Sequence, residues 1–208
     1  MTRQPVDAQE ERWRFALQGG YGVHLFKLEE SLPADWVPYY RAMKRGWQES
    51  ADFQYFPGKH LGLGLRFAQF QTSNHMDSTS YAGYAGEMED DLRIRYAGPA
   101  LWGRVGSLNQ SNCLSLGLSV GYVAYWNEKI LIEEFLLEGS TIGMSLDLSW
   151  DWRINDRWAL GLQGGFLTAV LQEFKLTEGN RTIDLELSPD AYQGLSRLDF
   201  SLGLRFVL

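Results

Sequence analysis

The stretch Ser140-Thr141-Ile142-Gly143-Met144-Ser145-Leu146-Asp147-Leu148-Ser149-Trp150-Asp151-Trp152-Arg153 decides the architecture of this chain. Its even positions from 142 onward, Ile142, Met144, Leu146, Leu148, Trp150 and Trp152, are large and apolar. Its odd positions, Thr141, Gly143, Ser145, Asp147, Ser149, Asp151 and Arg153, are small or polar. Successive side chains of a β-strand project to opposite faces. Unbroken alternation therefore predicts a strand whose two faces meet two different environments.

Working outward, the same split recurs in seven further segments, beginning with Trp13, Phe15, Leu17, Tyr21, Val23 and Leu25 against Arg14, Ala16, Gln18 and His24. Segments 46–56, 60–71, 91–104, 112–126, 158–173 and 195–207 repeat it. Examples are Leu61, Leu63, Leu65 and Phe67 against Gly62, Gly64 and Arg66, and Leu92, Ile94, Tyr96 and Trp102 against Arg93, Arg95 and Ala97. Each segment is long enough for the roughly 9–11 tilted residues that cross a bilayer. Glycine, serine and opposite charges fill a narrow polar lumen rather than a dry core. Large aliphatics with Trp or Tyr near their ends fit a lipid-facing surface. The expectation is an all-β fold, an eight-stranded antiparallel up-and-down transmembrane β-barrel over residues 12–208, after a flexible periplasmic segment, 1–11.

The linkers test this independently. They cover 27–45, 57–59, 72–90, 105–111, 127–139, 154–157 and 174–194, so long and short alternate throughout. Transmembrane barrels pair long extracellular loops with short periplasmic turns, and an even strand number puts both termini on the periplasmic side. No stretch approaches 18 consecutive apolar residues, which argues against a membrane-crossing helix. No secretory leader pattern opens the chain, as expected of a mature form carrying an added Met.

Composition points the same way. The 208 residues hold 22 Gly and 8 Trp, with 14% aromatics and 6 Pro, a mixture typical of all-β proteins. Net charge is −7, from 26 acids against 19 bases, with no basic patch, so nucleic acid is not an expected partner. The lone Cys113 excludes an internal disulfide and a multi-cysteine metal site.

Three stretches carry a family likeness: Tyr55-Phe56-Pro57 followed by Gly62-Leu63-Gly64-Leu65-Arg66-Phe67, then Tyr96-Ala97-Gly98-Pro99, and the terminal Leu198-Asp199-Phe200-Ser201-Leu202-Gly203-Leu204-Arg205-Phe206. With these the chain resembles the small outer-membrane β-barrels of Gram-negative bacteria, of the architecture of the OmpA transmembrane domain and OmpX, and most narrowly those of Bacteroidetes. The resemblance implies an outer-membrane location and insertion by the barrel-assembly machinery. It also implies a C-terminal assembly signal in Phe200, Leu202, Leu204 and Phe206, although here Phe206 is followed by Val207-Leu208.

An eight-stranded barrel has a lumen that side chains can fill. The candidate lumen network is Arg14, Asp52, Arg66, Asp147, Asp151, Arg153, Asp199 and Arg205, with Arg93 and Arg95 as further candidates. Two readings compete: a structural plug of paired charges, since a buried charge must be paired, or a narrow path for ions. Catalysis is not expected. Ser73-Asn74-His75 with Asp77 is the one hint of Ser/His/Asp chemistry, and it falls in a long linker, while His24 and His60 are expected in the lumen near its two rims. No metal-ligand spacing and no cofactor motif appears. A loop interaction surface is expected from Trp36, Tyr39 and Tyr40 and from Ile130, Ile132, Phe135 and Leu137, unless the strands run on past the membrane and these residues pack on one another. The acids within 77–91 and 128–138 are expected to form a solvated rim, the alternative being a site for divalent cations shared with lipopolysaccharide phosphates. The leading function is a structural or interaction protein whose loops bind a partner or surface ligand, with a place as accessory subunit of a larger outer-membrane complex as one form of it. A narrow channel and a lipid A-modifying enzyme are the alternatives.

Overall fold

Alternating segments become strands wherever a neighbour can complete the hydrogen-bond ladder, and here every barrel strand finds one on both sides. A computed structural model describes residues 12–26, 32–81, 84–107, 112–131, 133–179, 181–188 and 192–208. The expected N-terminal segment 1–11 and Ile132 lie outside the described residues. In chain order the elements are β1 (Trp13–His24), α1 (Trp36–Met43), β2 (Arg45–Tyr55), β3 (Leu61–Tyr81), β4 (Tyr84–Ser107), β5 (Asn112–Leu131) and β6 (Glu133–Arg153). After these come β7 (Trp158–Leu171), β8 (Glu173–Glu178), β9 (Arg181–Glu186), β10 (Gln193–Gly194) and β11 (Arg197–Val207).

Sequential antiparallel pairing runs from β1 to β7, and β11 lies between β7 and β1, with Leu202 opposite Leu162 on one side and Gly19 on the other. The result is a closed eight-stranded antiparallel barrel. Beyond the point where β7 leaves β6, β8 takes its place against Leu136–Glu138, and β9 pairs only with β8 among the described residues.

The short turns, the start of β1 and the end of β11 share one rim: Trp13 N–H donates to the Leu208 carbonyl at 3.2 Å and Leu208 N–H to the Trp13 carbonyl at 3.0 Å. At the turn after β6, the Asn155 side-chain oxygen accepts from the backbone N–H of Arg157 and Trp158, each at 2.9 Å. At the opposite end the described residues of the expected linkers 72–90 and 127–139 prove to be strand. The ladders β3–β4 and β5–β6 continue to Tyr81↔Tyr84 and Leu131↔Glu133, so the hairpins stand well beyond the bilayer.

Outward positions across the spanning half are Leu, Phe, Trp and Val, among them Leu17, Leu63, Leu118, Leu146, Leu162 and Leu202. Aromatic residues bound this band, with Trp13, Trp152 and Trp158 near the short-turn rim and Tyr21, Trp47 and Tyr122 on the far side. This is the surface of a barrel solvated by lipid. Inside, the short-turn end is packed by Trp102 against Phe56 and Ala100. Trp102 fits only because Gly117 lies opposite it: a Cβ there would sit 2.6 Å from the indole ring.

Segment 91–104 reverses the expected polarity: Trp102, expected on the lipid face, packs inside at the short-turn end, where Gly117 makes room for it. Along 91–97, Leu92, Ile94 and Tyr96 point into the barrel, while Arg93 and Arg95 face outward. This part of β4 lies above the apolar band, where the outer solvent is water, so the charges go out and the apolar side chains go in.

Candidate functional site

The spanning lumen is filled by charge. Arg14 pairs with Asp151, which also takes Arg205 at 3.2 Å. Arg66 bridges Asp52 at 2.9 Å and Asp147 at 2.6 Å, and Arg197 pairs with Asp199 at 3.0 Å. Two glutamines join these pairs. Gln18 donates to Asp52 at 2.9 Å and to the Gln163 oxygen at 2.8 Å, Gln163 donates to Asp147 at 3.2 Å, and Arg205 donates to Gln18 at 2.9 Å. All these side chains are buried.

The long side chains have room because small residues lie across the ladder. Arg205 faces Ala16 and Ala159, Asp147 faces Gly117 and Gly165, and Asp151 faces Cys113 and Gly161. At Gly161 the requirement is steric: a Cβ would lie 2.5 Å from an Asp151 oxygen and 2.7 Å from the Arg205 guanidinium carbon. A network in which each of these charges meets its opposite is the arrangement that buried charge demands.

Of the candidate lumen residues, Arg14, Asp52, Arg66, Asp147, Asp151, Asp199 and Arg205 are thus brought together. Three are not. Arg153 ends β6 at the rim and closes the short turn, contacting Asp156 and donating to the Asn155 carbonyl at 3.2 Å. Arg93 pairs outside with Asp91 at 2.6 Å, and Arg95 donates outside to Gln69 at 2.7 Å. Sequence reasoning missed Arg197, although it shares Asp199's face of β11, and it missed Gln18 and Gln163 because it counted charges.

Above the network the lumen changes character. Phe70, Met88, Leu92, Ile94, Tyr96, Val123, Leu167, Leu171 and Leu195 form a buried apolar cluster. α1 closes its open end. Trp36, Tyr39 and Met43 recur at helical spacing and turn inward, which corrects the expectation of an exposed aromatic surface: Trp36 is 8% exposed and Tyr39 5%. Tyr40 is half-buried, as are Ile130, Phe135 and Leu137 on the extended hairpin.

A polar cluster lies beneath the helix. The Tyr39 hydroxyl donates to Asp90 Oδ2 at 2.9 Å, Asn127 Nδ2 donates to Asp90 Oδ1 at 2.8 Å, and Lys129 Nζ donates to the Tyr40 hydroxyl at 2.9 Å. Burial raises the Asp90 carboxyl above its ordinary value despite Lys129, and burial together with Asp90 raises the Tyr39 phenol. Asp90 therefore leaves the expected acidic rim; Glu89, Asp91, Glu128 and Glu134 remain outside, along a surface groove.

Of the histidines, His24 is buried, and His60 lies exposed at the short-turn rim, with its Nδ1 3.3 Å from the Arg104 carbonyl. His75 is exposed on β3, 2.8 Å from Asp77 and 3.6 Å from Glu89. Ser73 is exposed on the same strand. Among the described residues no cluster of His, Cys, Asp and Glu could hold a metal ion.

No family profile and no curated protein matches the chain. Among solved structures it is similar to Neisserial surface protein A at 8% identity, over 94% of this chain and 97% of that one, with TM-score 0.56. It is similar to OprG from Pseudomonas aeruginosa at 12% identity, over 96% and 97%, with TM-score 0.57. A major outer membrane protein from Thermus thermophilus matches at 11% identity, over 94% and 99%, with TM-score 0.58. At these identities the likeness is one of fold, and the fold is that of the small outer-membrane β-barrels.

Proposed function

We propose that this protein resides in the outer membrane of a Gram-negative bacterium, termini toward the periplasm, and binds a ligand or partner at its extracellular end. It neither conducts nor catalyses. The observation that carries this reading is the change of lumen along the axis: four arginines and four aspartates plug the spanning half, while the end beyond the membrane is apolar inside and covered by α1.

Outer-membrane lipid and lipopolysaccharide are its surroundings, the barrel-assembly machinery inserts it, and another outer-membrane protein is the partner class to seek. The narrower kinship with Bacteroidetes barrels rests on the motifs around Tyr55–Phe67 and Leu198–Phe206 and belongs to the same proposal. In planar bilayers the purified barrel should be silent. Steady openings whose ion selectivity changes in Asp52→Asn would make it a channel instead. Lipid A incubated with it should keep its mass, and gentle extraction from the native membrane should bring down any stoichiometric partner.

A further inference from the structure

We infer that the extracellular end binds a neutral, hydroxyl-bearing apolar small molecule, an alcohol or a phenol, in the cavity between α1 and the barrel wall. This rests on the reading of that end as a binding site.

The cavity measures about 360 Å³, within the size range of small-molecule sites. Phe26, Leu32, Met43, Leu92, Leu137 and Phe174 give it an apolar lining suited to an aromatic or aliphatic body. His24, Asp90, Asn127, Lys129 and Gln193, with the phenols of Tyr40 and Tyr125, interrupt that lining. The two charges answer each other, with Lys129 Nζ 3.9 Å from Asp90 Oδ2. An ionised ligand would bring a charge with no counterpart, so the complement is neutral.

The uncharged His24 and Asn127 ask for something more specific. His24 Nε2 lies 3.0 Å from the Gly194 carbonyl, an acceptor only, so Nε2 carries the hydrogen and Nδ1 is left as a lone-pair acceptor. Asn127 gives its Nδ2 to Asp90, and its Oδ1 is likewise an acceptor. Among the described residues neither His24 Nδ1 nor Asn127 Oδ1 has a hydrogen-bond partner, and both residues are more than nine-tenths buried. Buried polar atoms without partners are uncommon. Two acceptors on the walls of one apolar cavity call for a donor on its occupant. A hydroxyl supplies that donor without charge and accepts in return from the Lys129 ammonium.

The test uses 1-naphthol and naphthalene, which differ by the hydroxyl alone. Titration calorimetry on the barrel in lipid nanodiscs, with empty nanodiscs subtracted, gives their relative affinity. The naphthol should bind about tenfold more tightly, the worth of one buried hydrogen bond. The double variant His24→Phe/Asn127→Leu should bring the two probes within about threefold while retaining naphthalene, and Leu137→Trp should expel both, with far-UV circular dichroism confirming intact barrels. Equal affinity in the wild type overturns the hydroxyl assignment, tighter binding of 1-naphthylmethylamine overturns neutrality, and absence of binding overturns the cavity. None of these outcomes makes the barrel conduct, so the closed-barrel reading stands or falls separately.

Discussion

β3 and β4 each cross two regions with opposite rules. On β3 the outward residues run Leu61, Leu63, Leu65, Phe67 and then Gln69, Gln71, Ser73, His75, while the inward ones change from Arg66 to Ala68 and Phe70. On β4 the lower outward residue Leu101 gives way to Arg95 and Arg93, whereas Tyr96, Ile94 and Leu92 fill the inside. The backbone ladder does not change at the boundary; only the solvent does. Below it lipid surrounds a polar interior, and above it water surrounds an apolar one. The lower half is thus a membrane barrel and the upper half a soluble one, built on the same strands.

The comparison is broken most severely by removing a shared charge. Asp151→Ala leaves Arg14 and Arg205 without their carboxylate, and should cost about 3–5 kcal/mol in urea unfolding of the reconstituted barrel. A loss under about 1 kcal/mol would mean that water, not pairing, solvates the lower lumen.

The outer faces come next. Leu146→Arg in the spanning band should cost about 2–4 kcal/mol, whereas Arg95→Leu above it should stay within about 0.5 kcal/mol. Equal costs would erase the proposed boundary.

Histidines sharpen the contrast within the upper half. His24 lies three residues beyond Tyr21, and burial lowers it from 6.5 to about 4. Its neutral form therefore supports folding fully above pH 6.5, and that support is lost as pH falls toward 4, about 3 kcal/mol at 1.36 kcal/mol per unit. His24→Phe should lack this part of the acid slope. Exposed His75, hydrogen-bonded to Asp77, should titrate above the ordinary histidine range in proton NMR, the reverse direction.

A smaller loss than that of His24 concerns the cap. Tyr39→Phe removes one donor to Asp90 and should cost about 1–1.5 kcal/mol, visible as faster hydrogen exchange in α1 and unchanged exchange in the spanning strands.

The barrel was legible because a bilayer writes a two-solvent pattern into every spanning strand; 140–153 needs no neighbour to be read. The same alternation does not say which solvent lies outside. Residues 91–97 therefore reveal a strand but conceal its polarity, and Arg93 and Arg95 read as lumen charges until the height of the band is known. The extended hairpins were harder to read because water on their outer face permits Glu and Asn as readily in strand as in loop. α1 was readable in principle from the spacing of Trp36, Tyr39 and Met43, a helical period inside a linker. Gln18 and Gln163 carry no charge, so only the geometry shows that they knit the ion pairs together.

The balance of the lumen has an electrical meaning. Arg14, Arg66, Arg197 and Arg205 stand against Asp52, Asp147, Asp151 and Asp199, so the ion-paired plug holds equal numbers of opposite formal charges. A transmembrane voltage does work only on charge that it can displace, and here each positive group is tied to a negative one. The field therefore exerts no net force on the plug as a body, and voltage alone gives it no reason to move.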